Sequence, residues 1–326
     1  MAPIKLGILG AGIMGERLLR AALEHASDSV TISGIWDPAE AAMARITAAL
    51  PTVPRAESAT QVIAGCDCLY IASPPATHLA HMQAALDAGK AIFCEKPLAV
   101  DVAAARQFVA TAAGKRAAVN FPMASAFAVE ALQTWIAEGA VGTPRTLDIE
   151  VAFKTWPRPW QHDAASWLDR PEQGGFTREV VSHFLFLTLR LAGAFTLGER
   201  FAAFPDAGRS ERAIRAHLQA GNLPITLTGA VGTTAKDDHN TWTLQGSAGA
   251  IRLRDWSNAE RLGPDGSWQP VANALPHEMM RPLVLRRQLE GVAAMTRGAA
   301  HPLATLAEAF AVQEAVEAIL APAAPR

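Results

Sequence analysis

"LGILGAGIMGERLLRAAL", Leu6 to Leu23, sets three glycines between two kinds of periodicity. A short apolar run reaches Gly10, and from Ile13 onward the apolar residues recur at helical spacing, so a strand runs into a helix through Gly10, Gly12 and Gly15. In such a joint one glycine makes the tight turn, one lets a pyrophosphate approach the backbone, and one lets strand and helix pack closely. Ile13 and Met14 open the helix, whose first N–H groups carry a partial positive charge toward the phosphates. A plain glycine-rich turn is the competing reading, and the strand before and the amphipathic helix after it count against that.

Downstream the same alternation continues. "VTISGIW", "DCLYIA", "AIFC" and "AAVN" are β-rich runs separated by alanine-rich helical stretches, which implies parallel strands with right-handed crossover helices. The second run ends at "GIWDPAE". Asp37 there falls where a carboxylate meets an adenosine ribose, accepting from both hydroxyls and repelling a 2′-phosphate, and no Arg or Lys follows within several residues. NAD is therefore favoured, with NADP possible; the bland role for Asp37 is a turn or helix cap. "YIASPPATHLAHM" then puts Ser73, Pro74 and Pro75 in a stiff loop at the carboxyl edge of the sheet, the edge where doubly wound sheets bind ligands. Ser73, Pro74 and His78 are counted with the cofactor site, His78 as a loop-ordering residue or an exposed side chain. His78 and His81 have no third ligand nearby, so no metal site is expected.

"KAIFCEKPLAV", Lys90 to Val100, places a carboxylate and an ammonium at the end of a buried strand. Glu95 and Lys96 would lie beside a nicotinamide, and Lys96 could hydrogen-bond a substrate oxygen, hold developing negative charge and help move a proton. Pro97 fixes the turn, and a cis Lys96–Pro97 bond is one way of aiming the ammonium inward. A surface ion pair is the alternative.

With 326 residues the chain is long for one core, and two domains are expected: a dinucleotide-binding Rossmann domain over 1–120 and a substrate-binding and oligomerisation domain over 121–326. After Asn120 a helix from about Ala124 to Glu138 precedes the strand "RTLDIEVAFKTW", a loop rich in tryptophan and proline, and an apolar helix from Thr177 to Leu191. "RFAAF", "AIRAHLQA", "PITLTGAV", "TWTLQGS" and "AIRLRDW" follow as strands of a mostly antiparallel sheet, and 278–321 reads as helical with a break near Gly298 to Pro302.

Half of the residues are hydrophobic, 18% are charged and the net charge is −2, so a well-packed globule with a small-molecule partner is expected and a nucleic-acid footprint is not. No apolar run reaches the ~20 residues of a membrane span, and the N-terminus has no secretory layout, so the expectation is a cytoplasmic protein. Three cysteines, Cys66, Cys68 and Cys94, read as reduced core residues. No nucleophile elbow occurs, and zinc ligands at suitable spacing are absent.

The ordered set Gly10-x-Gly12-x-x-Gly15, Asp37, "SPPATH" and "EKP" resembles the Gfo/Idh/MocA oxidoreductases, the glucose-fructose oxidoreductase and inositol dehydrogenase superfamily, and "LQGSAGAIRL" extends the likeness into the late sheet. The resemblance implies an α/β protein: an N-terminal Rossmann domain plus a C-terminal α/β domain with a large, mostly antiparallel open sheet used for homodimer or homotetramer contacts. It also implies hydride exchange with a bound nicotinamide cofactor, with Lys96 on the reacting oxygen. The family's Asp-x-x-x-His pair maps onto "EQGGFTREVVSHFLFL", which puts Glu179 where the aspartate stands and His183 on the histidine. Four apart on a helix they share a face, His183 as general acid or base and Glu179 orienting it or binding a hydroxyl. A buried histidine satisfied by a helical neighbour is the alternative, and the longer glutamate changes the geometry.

Relatives carry arginines soon after Asn120, whereas this chain reads "NFPMASAF"; Asn120 stays a candidate contact for cofactor or substrate. Arg178, or Lys154 and Arg158, would supply the missing charge. Trp160, with Trp156 and Trp167, suits either a sugar-like ring or an oligomer contact. The expected function is an NAD(P)-dependent oxidoreductase interconverting a secondary alcohol and a ketone on a sugar, cyclitol or related polyol. An imine or enone-type reductase of the same family and an inactive dinucleotide-binding regulator are the rivals.

Overall fold

The computed structural model describes residues 2–272 and 274–322, and within 162–163 the backbone only. The chain divides into two compact units, 1–125 with 278–310, and 126–277 with 311–326.

The first unit holds a parallel sheet in the order β2-β1-β3-β4-β5. Its strands are β1 (Ile4–Leu9), β2 (Val30–Trp36), β3 (Cys68–Ile71), β4 (Ala91–Cys94) and β5 (Ala117–Val119). Helices α1 (Ile13–His25), α2 (Glu40–Ala49), α3 (Ala59–Gly65), α4 (His78–Asp87) and α5 (Val102–Thr111) lie between them. Every residue of β3 and β4 is buried, as the unbroken apolarity of "CLYI" and "AIFC" demands of strands covered on both faces. The order reverses between β1 and β3, which makes their carboxyl ends the place for a ligand.

The sequence reading kept 278–310 with the second domain. In the structure α9 (His277–Thr296) supplies Leu289, Val292, Ala293 and Met295 to the same core as Leu6, Ile8, Tyr70 and Phe93, so this segment joins the first unit. Each such side chain contributes about 1.5–3 kcal/mol when fully buried, and that decides where the helix belongs. Helical periodicity announces an apolar face without naming the sheet that covers it.

The second unit is built on an eight-stranded sheet, order β13-β12-β11-β10-β6-β9-β8-β7. The strands are β6 (Pro144–Phe153), β7 (Thr196–Ala203), β8 (Ala213–Ala220), β9 (Leu223–Val231), β10 (His239–Gly246), β11 (Ala250–Arg254), β12 (Asn258–Leu262) and β13 (Trp268–Pro270). Among the described residues only β6 and β9 pair in parallel; the rest of the sheet is antiparallel, as expected for a sheet joined by short turns. Along β8 and β9 buried and accessible residues alternate, Ile214, Ala216 and Leu218 inward and Arg215, His217 and Gln219 outward. Helices α6 (Phe127–Ala137), α7 (Ala165–Leu168) and α8 (Ser182–Ala192) belong to this unit, and α10 (Leu306–Leu320) runs through the unit boundary.

The candidate dinucleotide crevice and the histidine helix

Local chemistry shapes the glycine turn. Gly10 has φ +104°, where a side chain is strained, and a Cβ there would lie 2.5 Å from the Ala72 backbone. At Gly15 a Cβ would lie 1.9 Å from the Gly10 carbonyl oxygen, so α1 packs on the turn only with glycine. Gly12 is different: a Cβ meets no described atom within 4 Å, and no side chain caps α1 there. The first-turn N–H groups of α1, led by Ile13 and Met14, thus have no side-chain cap and follow a backbone that a pyrophosphate can approach. The residues fit a dinucleotide.

Asp37 sits half-buried just beyond β2. Its Oδ2 accepts from the Ala11 N–H at 2.8 Å and its Oδ1 from the Ala39 N–H at 2.8 Å, so it both ties the end of β2 to the glycine turn and turns the chain toward α2. The proposed ribose contact and the bland turn role are carried by the same carboxylate. Beside it, Arg45 of α2 donates to the Ala11 carbonyl at 2.6 Å and pairs with Glu16, which also receives Arg20. Burial raises the Glu16 carboxyl, but the hydrogen bonds from Arg20 and Arg45 outweigh it and hold Glu16 below the ordinary carboxylate range.

At the carboxyl ends of β3 and β4 two loops are tied together by His78. The ring is fully buried, with Nδ1 2.8 Å from the Pro97 carbonyl and Nε2 2.8 Å from the Ser73 carbonyl. Burial pulls the ring below its usual pKa against the pull of these two carbonyls, so the neutral ring donates to one of them. Ser73 shares a further bond with Thr77, hydroxyl to hydroxyl at 2.7 Å, and Pro75–Thr77 form a tight helical turn. His78 thus ties the two loops together and is buried, not an exposed side chain.

Glu95 is buried at the end of β4. Its Oε1 accepts from the Tyr70 hydroxyl at 2.5 Å and from Asn120 Nδ2 at 2.6 Å, and Asn120 Oδ1 in turn accepts from Gln288 Nε2 at 2.5 Å. Burial, then the negative charge of Glu95, push the Tyr70 phenol well above its ordinary pKa, so it stays a donor. Lys96 follows this anchored carboxylate on a half-buried turn whose Lys96–Pro97 peptide is cis. Glu95 and Asn120 are thus bonded to each other and to Tyr70 and Gln288 directly before the turn that carries the ammonium. Tyr70 and Gln288 were not among the sequence candidates. Tyr70 is the single tyrosine in the chain, which was a signal; Gln288 stands 168 residues from Asn120 and carried none.

Glu179 and His183 belong to the second unit. Residues Thr177–Val181 form a π-helical turn that leads into α8, in place of the continuous α-helix that put the two side chains one α-turn apart. Its cause is local. Gly175 has φ +100° and approaches the Glu211 carboxylate so closely that a Cβ would lie 2.2 Å from Oε2. Glu211 Oε1 accepts from both the Thr177 N–H at 2.7 Å and its hydroxyl at 2.6 Å. Glu211 is fully buried, and burial raises its carboxyl. Widened turns of this kind cluster at functional sites.

His183 is buried with its ring edge-on to Trp256 at 5.4 Å, and Glu179 is half-buried. Trp256 Nε1 donates to Asp238 Oδ2 at 3.3 Å, the same oxygen that receives Arg158 Nη1 at 2.5 Å. Trp256 and Asp238 were missed; the first only ended a quoted strand. Arg158 is buried, lies over the Trp156 and Trp160 rings at 5.6 and 4.7 Å, and is committed to Asp238. Arg178, expected to meet a substrate, is instead a fold anchor: Nε and Nη2 pair with Glu317, each at 2.7 Å, and Nη1 donates to the Pro171 and Gly174 carbonyls. Trp156 is core, against Phe153 and Phe176, while Trp160 is 49% exposed. Among the described residues no group of three or more His, Cys, Asp or Glu is placed to hold a metal ion, and no helix is long and apolar enough to cross a membrane.

A parallel sheet with a glycine turn open at Gly12 and an acidic residue closing β2 defines a dinucleotide-binding unit. Residues 4–121 match the model of the Gfo/Idh/MocA oxidoreductase family with NAD-binding Rossmann fold. It is 36% identical over 109 residues to an inositol 2-dehydrogenase of Cereibacter sphaeroides, covering 32% of each chain. With a 1,5-anhydro-D-fructose reductase of Ensifer adhaerens it shares 35% identity over 111 residues, 33% of this chain and 32% of that one. The chain thus spans about a third of the length of these curated relatives. The fold likeness runs further: an Agrobacterium radiobacter oxidoreductase, solved with NAD+, L-tartaric acid and magnesium, superimposes with TM-score 0.80 over 97% of this chain and 94% of that one, at 19% identity.

Proposed function

We propose that the protein is an oxidoreductase that uses a nicotinamide dinucleotide, NAD ahead of NADP, to interconvert a secondary alcohol and a ketone on a sugar, cyclitol or related polyol. One observation carries the reading: Lys96 stands at the end of β4, in the same sheet as the open glycine turn, on a turn held by the buried Tyr70–Glu95–Asn120–Gln288 chain. The names of the relatives, which act on inositol and anhydrofructose, support the substrate class.

In this reading the main-chain N–H groups from Gly12 to Gly15 hold the pyrophosphate, Asp37 receives the adenosine ribose, and the Ser73–Pro74 loop borders the nicotinamide half. A bound nicotinamide supplies the hydride chemistry. Lys96 donates a hydrogen bond to the substrate oxygen and stabilises the negative charge that grows on it. In the second unit, His183 is the candidate general acid or base and Glu179 a candidate contact for a substrate hydroxyl. The asparagine at 120 acts through Glu95, as a positioning residue.

The open face of the second sheet is proposed as the contact between copies. There Thr243, Asp148 and Thr226 lie in one row across β10, β6 and β9, with Thr241, Glu150 and Thr228 in the next. Light scattering on the eluting protein tests it.

The activity test is nicotinamide absorbance during incubation with sugars, inositols and keto acids, repeated with Lys96→Met. Turnover by the native protein and its loss by about 10²-fold or more in the variant, with dinucleotide affinity retained, are expected. Undiminished turnover in Lys96→Met would refute the assignment.

A further inference from the structure

The sequence around Asp37 carries no cation within several residues, which favours NAD. Helix α2 alters that balance by folding Arg45 back onto the glycine turn. The Ala11 peptide is gripped from both sides: its N–H goes to Asp37 Oδ2 at 2.8 Å, and its carbonyl receives Arg45 Nη2 at 2.6 Å. A carboxylate and a guanidinium therefore flank one residue at the corner where an adenosine ribose is expected.

Three features fit this corner to a 2′-phosphate. First, both Asp37 oxygens already accept a backbone N–H, from Ala11 and from Ala39, which spreads the charge that would repel a phosphate. Second, the Arg45 side chain is 52% exposed, and its bonds to Ala11 and Glu16 use two of the five N–H donors of a guanidinium. Third, Glu16 is shared between Arg20 and Arg45, so one carboxylate faces two guanidiniums. Arg55, a further cation of the first unit, is committed to Glu40 through Nη2, at 2.8 and 2.6 Å.

We propose that Arg45 is the residue that sets the ratio of the two dinucleotides: it recognises the 2′-phosphate, so the protein takes the phosphorylated form as well, with the plain form ahead because Asp37 remains. The inference rests on the dinucleotide reading of the glycine turn, and on nothing about the substrate.

The experiment uses the full chain and two probes without a nicotinamide, ADP-ribose and 2′-phospho-ADP-ribose, titrated by calorimetry. Wild type should bind both. In Arg45→Ala the ratio of the phosphorylated to the plain affinity should fall about tenfold or more, the size of a lost hydrogen bond to a charged group. Arg45→Lys should fall between, since it keeps the charge and loses the planar fork. Should Arg45→Ala fail to fold, wild type alone decides: salt should weaken the phosphorylated probe more steeply than the plain one. Equal loss of both probes in Arg45→Ala, or no wild-type binding of the phosphorylated probe beside good binding of ADP-ribose, would overturn this inference alone. Binding of neither probe would overturn the dinucleotide reading and this inference with it.

Discussion

Asn120→Ala should cost the first unit roughly 2–4.5 kcal/mol. Two bonds are lost: Nδ2 to the Glu95 carboxylate at 2.6 Å, worth ~1.5–3 kcal/mol because the acceptor is charged, and Oδ1 from Gln288 at 2.5 Å, worth ~0.5–1.5 kcal/mol. Both ends are buried, so water cannot simply take over, and the Gln288 amide is left with its nitrogen unpaired. Gln288→Leu should cost less, ~1–2 kcal/mol, because it also removes an Oε1 that is buried with no partner among the described residues. Calorimetry resolves the two units as separate or overlapping transitions, which a single midpoint would blur. At ~2–4 °C per kcal/mol for a unit of this size, the first-unit transition should fall by roughly 4–18 °C in Asn120→Ala. A shift under about 2 °C, or a larger loss in Gln288→Leu than in Asn120→Ala, would refute the view that Asn120 is the hub of the network behind Lys96.

The glycines should separate folding from binding: Gly12→Ala is expected to leave the melting transition in place and weaken ADP-ribose, whereas Gly10→Ala, at φ +104° and 2.5 Å from Ala72, should lower the transition itself, both read by the same calorimetry. The buried Glu211 should make the second unit pH-sensitive on a definite side. Its carboxyl ionises near 4.5 when unfolded and higher when folded, so the folded state holds the extra proton between those values and stability falls as pH rises through them. Glu211→Gln should flatten that slope, and a slope unchanged in the variant would dismiss Glu211 as its source. Burial pushes Cys66 up to about 11 and Cys68 to about 12, so at pH 8 a disulfide reagent should leave both untouched until denaturant exposes them.

By itself the sequence determined what depends on neighbours in the chain. The glycine turn was legible because a positive φ at Gly10 and a helix packed on Gly15 admit no side chain, and the "EKP" turn was legible because a charged pair sealed by proline breaks an otherwise buried strand. The parallel sheet followed from unbroken apolar runs separated by helical periodicity. Only the tertiary structure decided the partners. Arg45 returns to Ala11, Gln288 reaches Asn120, Arg178 is spent on Glu317, and Glu211 reshapes the turn before His183 into a π-turn. The helix at 277–296 likewise joined the first unit through its buried face. Periodicity and turn chemistry constrain φ, ψ and which face is apolar, whereas the identity of the group across a contact depends on how distant segments pack, and no local pattern encodes that.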